Sequence, residues 1–267
     1  MRTVKEGQLG KFTLRIVDTP NGLQGVAIKD AAFQTAVMAG QDIDELWERL
    51  VQEVGSQSAE YVGFDGAISR FLSIFPAGFS DTRYLSMERD YKIAAIERLN
   101  NDAPLEMALE GKARPELIAK ATTNLLYKSE AITFRDILLS PRGREFVTAA
   151  AKMATGDVSA GLSTMTAVAN AVDRKSWPLV TYLPFLWKPD DHMFLKPTIA
   201  TGFAERVGHR LAHDYSSDIE PAVYGCLIDL TKKTHSAIEK LKPADNIDVQ
   251  SFIWAVAKYT ADDVSAA

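Results

Sequence analysis

The chain has 267 residues, with 30 Lys plus Arg against 35 Asp plus Glu and a formal net charge of −5. Hydrophobic residues make up 46% and charged residues 24%, an ordinary globular balance that excludes disordered, collagenous and low-complexity classes. A single cysteine, Cys226, excludes an intrachain disulfide framework.

In chain order, Phe12, Leu14 and Ile16 alternate with Thr13, Arg15 and Val17, the period of a half-buried strand. Pro20-Asn21-Gly22 is turn chemistry, because Asn and Gly tolerate positive φ, and 23–28 reads as the returning strand. A third strand is expected over 31–38, ended by Gly40. Asp42 with Glu45 three residues on is a capping-box pattern, opening a helix with the apolar stripe Ile43, Leu46, Trp47, Leu50, Val51 and Val54.

After Tyr61 the periodicity becomes mainly helical. Ile68, Phe71, Leu72 and Phe75 share a face, and 84–99 reads as a helix. Pro115 suits a first helical position before Leu117, Ile118, Ala121 and Leu125. Ser140-Pro141 predicts a cap opening a helix to Ala154, while Asp157, Ser176 and Asp248 are expected caps of later helices. Pro221 opens the longest helix, through 241. Pro178, Pro184, Pro189 and Pro197 predict a broken segment over 176–200, whose aromatics form either a pocket or a core. The expected fold class is α+β, mainly α: a small N-terminal antiparallel sheet with one helix over 1–58, then a multi-helix domain over 59–267.

No run approaches the roughly 18 apolar residues of a membrane span, and residues 1–11 lack the apolar centre of a signal peptide. The expectation is a cytoplasmic protein without a membrane partner. A Walker loop, a Gly-x-Gly-x-x-Gly turn, a Gly-x-Ser-x-Gly elbow and clustered zinc ligands are all missing, so neither metal nor nucleotide cofactor is expected. His209 and His213 are four apart, lack the intervening Glu of a zincin and read as a surface pair. The net acidity counts against a dedicated nucleic-acid binder, but it is unevenly spread. Residues 110–152 hold eight Lys/Arg against five Asp/Glu, and 171–210 hold six against four. These runs form either a basic face or solvated helix faces.

Four places carry chemistry. RYLSMERDYK (83–92) puts Tyr84, Glu88 and Tyr91 on one helix side, with Arg89 and Lys92 three apart. Such interleaving suits base stacking and phosphate contact; the alternative is a surface helix with ion pairs such as Glu88–Lys92. Asp248 and Gln250 stand beside the start of an apolar helix, where an Asp is most simply a cap, but where carboxylate and amide together can hold a water or read a base edge. Asp65, in Gly63-Phe64-Asp65-Gly66, is a turn residue or a carboxylate at a bend. Lys196, with Asp214 eighteen residues later, resembles the Lys/Asp pair of helix-hairpin-helix DNA glycosylases, although no glycine-rich hairpin precedes it. Its other reading is a lysine snorkelling from a helix start.

Four blocks, GFDGAISRFLSIFPAGFSD (63–81), RYLSMERDYK (83–92), YLPFLWKPDDHMFLKPT (182–198) and DVQSFIWAV (248–256), together resemble a bacterial defence-associated family. That family is linked to modification-dependent restriction of the McrB type and is similar to phage-defence DNA glycosylases that excise glucosylated hydroxymethylcytosine. The resemblance implies cleavage of an N-glycosidic bond after base flipping, with double-stranded modified DNA as partner. It implies a carboxylate from Asp248, Asp65 or Asp90, and Lys196 as the amine of a covalent mechanism. Tyr182, Trp187, His192 and Gln250 would bind the base, and Arg83, Arg89 and Lys92 the phosphates. The rival classes are a non-catalytic reader of modified DNA, a helical interaction module partnered with a restriction nuclease, and a small-molecule enzyme.

Overall fold

The structure is a computed structural model and describes residues 2–9, 12–29, 32–33, 38–47, 49–50, 63–120, 123–171 and 175–259. Strands β1 (Arg2–Leu9), β2 (Phe12–Thr19) and β3 (Gly22–Lys29) form an antiparallel meander, and β4 (Ala32–Phe33) and β5 (Met38–Gly40) both pair with β3. Along β2, Phe12, Leu14 and Ile16 are buried, as the alternation predicts. The β2–β3 turn pairs Thr19 with Gly22, whose φ of 102° is the left-handed region that glycine tolerates. The Thr19 hydroxyl accepts from the Asn21 N–H at 3.2 Å and donates to the Gly22 carbonyl at 2.8 Å. The strand expected over 31–38 appears as the short β4 and β5, with 31 and 34–37 outside the described residues. The domain boundary at 58/59 also lies outside them.

Helix α1 (43–47, with 49–50 also helical) lies on this sheet. Asp42 caps it, its Oδ1 accepting from the Asp44 and Glu45 N–H groups at 2.9 Å each. Leu46 and Leu50 are buried, whereas Ile43 of the expected stripe is exposed and Val51 and Val54 lie outside the described residues. The helix approaches the sheet closely at strand glycines: a Cβ on Gly7 would stand 3.0 Å from the Trp47 ring.

The helical part has its own core, distinct from the sheet cluster of Phe12, Leu14, Ala27 and Leu50. It comprises α2 (Gly63–Ile74), α3 (Thr82–Tyr84), a π turn (Leu85–Arg89), α4 (Asp90–Asp102), α5 (Leu105–Leu109), α6 (Pro115–Ile118) and α7 (Lys128–Leu139). There follow α8 (Gly143–Ala154), α9 (Val158–Asn170), α10 (Trp177–Trp187), α11 (Pro197–Arg206), α12 (Leu211–Asp214), α13 (Pro221–Ala237) and α14 (Asn246–Lys258). The fold is α+β and mainly α. No helix among the described residues is long and apolar enough to cross a membrane.

Several local expectations are corrected. Ser140 ends α7, its hydroxyl donating to the Ile137 carbonyl at 2.7 Å, and it also accepts the Arg142 N–H at 3.3 Å, but a turn at 141–142 intervenes and α8 opens only at Gly143. Pro115 does start a helix, but that helix stops at Ile118. The cap of α14 is Asp245, whose Oδ1 accepts from the Ile247 and Asp248 N–H groups. The segment 176–200 is broken, as expected, at 188–196, which holds Pro189 and ends where Pro197 opens α11, but Pro178 and Pro184 do not break α10: Pro178 sits in its first turn, where its missing N–H is harmless, and Pro184 lies in the last turn. All eleven residues of α10 are buried, and it packs against α4, α7, α8 and α9. His209 is buried, its Nε2 3.0 Å from Asp229 Oδ2, while His213 is exposed.

Candidate functional site

The clearest candidate is a cleft of about 150 Å³ where α14 meets the π turn and the segment before α11. Met87, Glu88 and Tyr91 enter from the π turn and the start of α4. Gln250 and Trp254, four apart and therefore on one face, enter from α14, and Tyr259 from just beyond it. Phe194 and Lys196 come from the α10–α11 connection, and Asn124 and Leu125 from the segment before α7. The wide turn at 85–89 bonds the Asp90 N–H to the Leu85 carbonyl, an i to i+5 step of the kind often found at functional sites.

Two ion pairs are built into the walls. Glu88 is 2% exposed and Lys92 fully buried. Lys92 Nζ donates to Glu88 Oε2 and to Ser251 Oγ, each at 2.7 Å, and the Tyr259 hydroxyl donates to Glu88 Oε1. Across the cleft, Lys196 Nζ donates to Glu130 Oε2, which also accepts the Tyr127 N–H at 2.7 Å. The ammonium lies 3.6 Å from the Tyr127 ring centroid and 5.7 Å from that of Phe194, both within cation–π range. Burial lowers the Lys196 pKa, opposed by the hydrogen bond to Glu130. Gln250 is 6% exposed, and its Oε1 is buried without a hydrogen-bond partner.

Behind this cleft is a second polar cluster. Asp248 Oδ1 accepts from the Tyr84 hydroxyl at 2.5 Å and from Arg89 Nη1 at 2.6 Å, and Oδ2 accepts the Ala244 N–H at 2.7 Å. Arg89 also clasps Asp245 through two bonds of 3.0 and 2.8 Å. This cluster ties the π turn to the start of α14 and holds Gln250 in place. Burial, with the Asp248 charge adding to it, pushes the Tyr84 hydroxyl pKa up.

Of the residues singled out from sequence, Glu88, Tyr91, Lys196 and Gln250 line the cleft. Asp248, Arg89 and Lys92 lie in the networks beside it, with Lys92 enclosed. Asp65 and Asp90 are exposed, in the first turns of α2 and α4. Arg83 is paired with Asp81 through bonds of 3.0 and 2.9 Å. Tyr182, Trp187 and His192 are buried in the helical core. Their partners are Thr123, the Ala103 carbonyl at 3.0 Å and the Tyr224 hydroxyl at 2.8 Å. Asp214 is exposed near Arg210. Sequence reasoning did not single out Glu130, Tyr127, Trp254 or Tyr259. The i, i+4 spacing of Gln250 and Trp254 was the available signal.

No group of three or more His, Cys, Asp or Glu side chains among the described residues is placed to hold a metal ion. Compared with protein-family models, curated proteins and solved structures, the chain matches none.

Proposed function

We propose that the cleft receives a pyrimidine base extruded from DNA and that the protein is a glycosylase acting on modified cytosine. The observation that carries this reading is the cleft itself: space for one ring, aromatic walls, and a lysine and a glutamate facing the same volume. A protein cavity of about 150 Å³ accommodates one benzene ring, so the space suits a pyrimidine and is tight for a purine. A substituent on the ring, such as a hexose, would extend through the mouth. Tyr91, Trp254, Tyr259 and Phe194 supply surfaces for the flipped base.

In this reading Glu88 takes the part expected of Asp248, Asp65 or Asp90, because Glu88 lines the cleft, Asp248 is spent on Tyr84, Arg89 and Ala244, and Asp65 and Asp90 are exposed. A water adds its oxygen to the sugar C1′ as the C1′–N1 bond breaks. Glu88 takes one proton of that water, the base leaves with the C1′–N1 electron pair as an anion beside the Lys196 ammonium, and N1 then takes a proton from solvent while Glu88 returns its own to solvent. Lys196 offers its ammonium to the departing base or to a phosphate. Lys120 and Lys128, both exposed, flank the segment bearing Asn124 and Leu125 and are suited to the DNA backbone at the rim.

The test incubates the protein with duplexes carrying cytosine, hydroxymethylcytosine or glucosyl-hydroxymethylcytosine, then reveals abasic sites as alkali-dependent breaks. Cleavage of a modified duplex that disappears in Glu88→Gln is expected. Selective binding without cleavage would replace the enzyme with a reader, and neither binding nor cleavage would remove DNA as the ligand.

A further inference from the structure

We infer that Gln250 makes the cleft selective for 4-aminopyrimidines, so that the protein binds free cytosine-type bases in preference to uracil or thymine. The inference rests on taking the cleft as a base site and adds which atom of the ring is read. It starts from one observation: Gln250 is 6% exposed and lines the cleft, and its Oε1, enclosed from solvent, has no donor. A buried carbonyl oxygen without a partner is costly, and a ligand that brings a hydrogen to it recovers that cost. Glu88 faces the same cleft and is kept for the attacking water. Lys92 and Tyr259 occupy one site on each of its oxygens, leaving capacity on a carboxylate that can take about four hydrogen bonds.

The cleft therefore offers the ring one acceptor without a donor, Gln250, and one donor, Lys196. A 4-aminopyrimidine matches this set: its exocyclic amine carries two hydrogens, and its ring carbonyl accepts one. Uracil and thymine carry a carbonyl at that position, which would face the Gln250 oxygen with a second acceptor. A site built to bond an N–H rejects the analogue lacking it far more strongly than a hydrophobic pocket rejects a missing methylene. The two ion pairs at Glu88 and Lys196 are each balanced within the wall, which fits a neutral ring.

The test titrates the full chain with free cytosine, 5-hydroxymethylcytosine and uracil, using ligand-observed NMR. Cytosine and its hydroxymethyl derivative should bind at least about tenfold more tightly than uracil, the equivalent of one hydrogen bond. Gln250→Leu, close in volume, should lose that preference, whereas Gln250→Glu, which keeps an oxygen there, should retain it. Thermal melts of both variants check that they are folded. Equal binding of the three bases, a preference for uracil, or an unchanged preference in folded Gln250→Leu would overturn the inference. Those results with the modified duplex still cleaved leave the glycosylase reading standing. A cytosine preference with no duplex cleaved supports the inference and removes the glycosylase.

Discussion

Substituting Lys92 by Met should unfold the cleft wall more than any exposed lysine change, because it strands a buried charge. The Lys92 ammonium is fully enclosed and makes two bonds of 2.7 Å, to Glu88 and Ser251. Removing one member of such a pair costs about 3–5 kcal/mol, since the remaining carboxylate keeps its desolvation cost without its partner. At about 2–4 °C per kcal/mol for a chain of this size, the melting temperature should fall by about 6–20 °C. Replacing both members, Glu88→Met with Lys92→Met, removes both charges and should recover most of that loss. Urea unfolding of the wild type, both single variants and the double variant gives the coupling energy directly. A Lys92→Met loss below about 1 kcal/mol, or a double variant no more stable than the single, would refute the buried pair.

Four further outcomes follow from the packing, one titrating group and the rim. Gly161→Ala should cost about 1–3 kcal/mol, because a Cβ there would stand 2.6 Å from Met153 Cβ and 2.8 Å from the Ala149 carbonyl of α8. Gly202→Ala, with nothing within 4 Å, should instead stabilise α11 by about 0.5–1 kcal/mol in the same melts. Burial lowers the His192 pKa below its ordinary 6.5, so the unfolded chain binds this proton more tightly. The stability it contributes is full above the unfolded value and is lost as pH falls from there through the folded value. Urea midpoints at pH 7.5 and 5 should therefore differ less in His192→Gln than in the wild type, and equal differences would contradict this. Lys128→Ala should lower the slope of log affinity for DNA against log salt by about one, measured by fluorescence anisotropy, without changing base preference.

The parts legible in the sequence were those governed by local periodicity and capping. The alternation of Phe12, Leu14 and Ile16, the turn at Asn21-Gly22 and the caps Asp42 and Asp157 all stand where the pattern put them. Strand β1 was not, because its side chains from Arg2 to Glu6 face solvent or are half-buried and carry no apolar alternation. The prolines of α10 misled because Pro is compatible with a first turn, and because a helix buried on all sides is held by packing more than by propensity. The cleft was half legible. Lys196 and Gln250 stood out by residue type, but Glu88 read as one end of a surface pair. The Glu88–Lys92 pair is closed over by Ser251 of α14, 159 residues from Lys92, and by Tyr259, 171 residues from Glu88. Glu130 likewise gains its role by meeting a lysine 66 positions later.

The claim that a base occupies this cleft is tested most directly by cross-linking. A duplex with 5-iodocytosine at one position, bound to the protein and irradiated, transfers the ring to the aromatic side chain beside it, and peptide mapping reads the site. Attachment at Tyr91, Phe194, Trp254 or Tyr259, suppressed by excess free cytosine, is the predicted result. Attachment confined to peptides outside the cleft, from a duplex that binds, would contradict it.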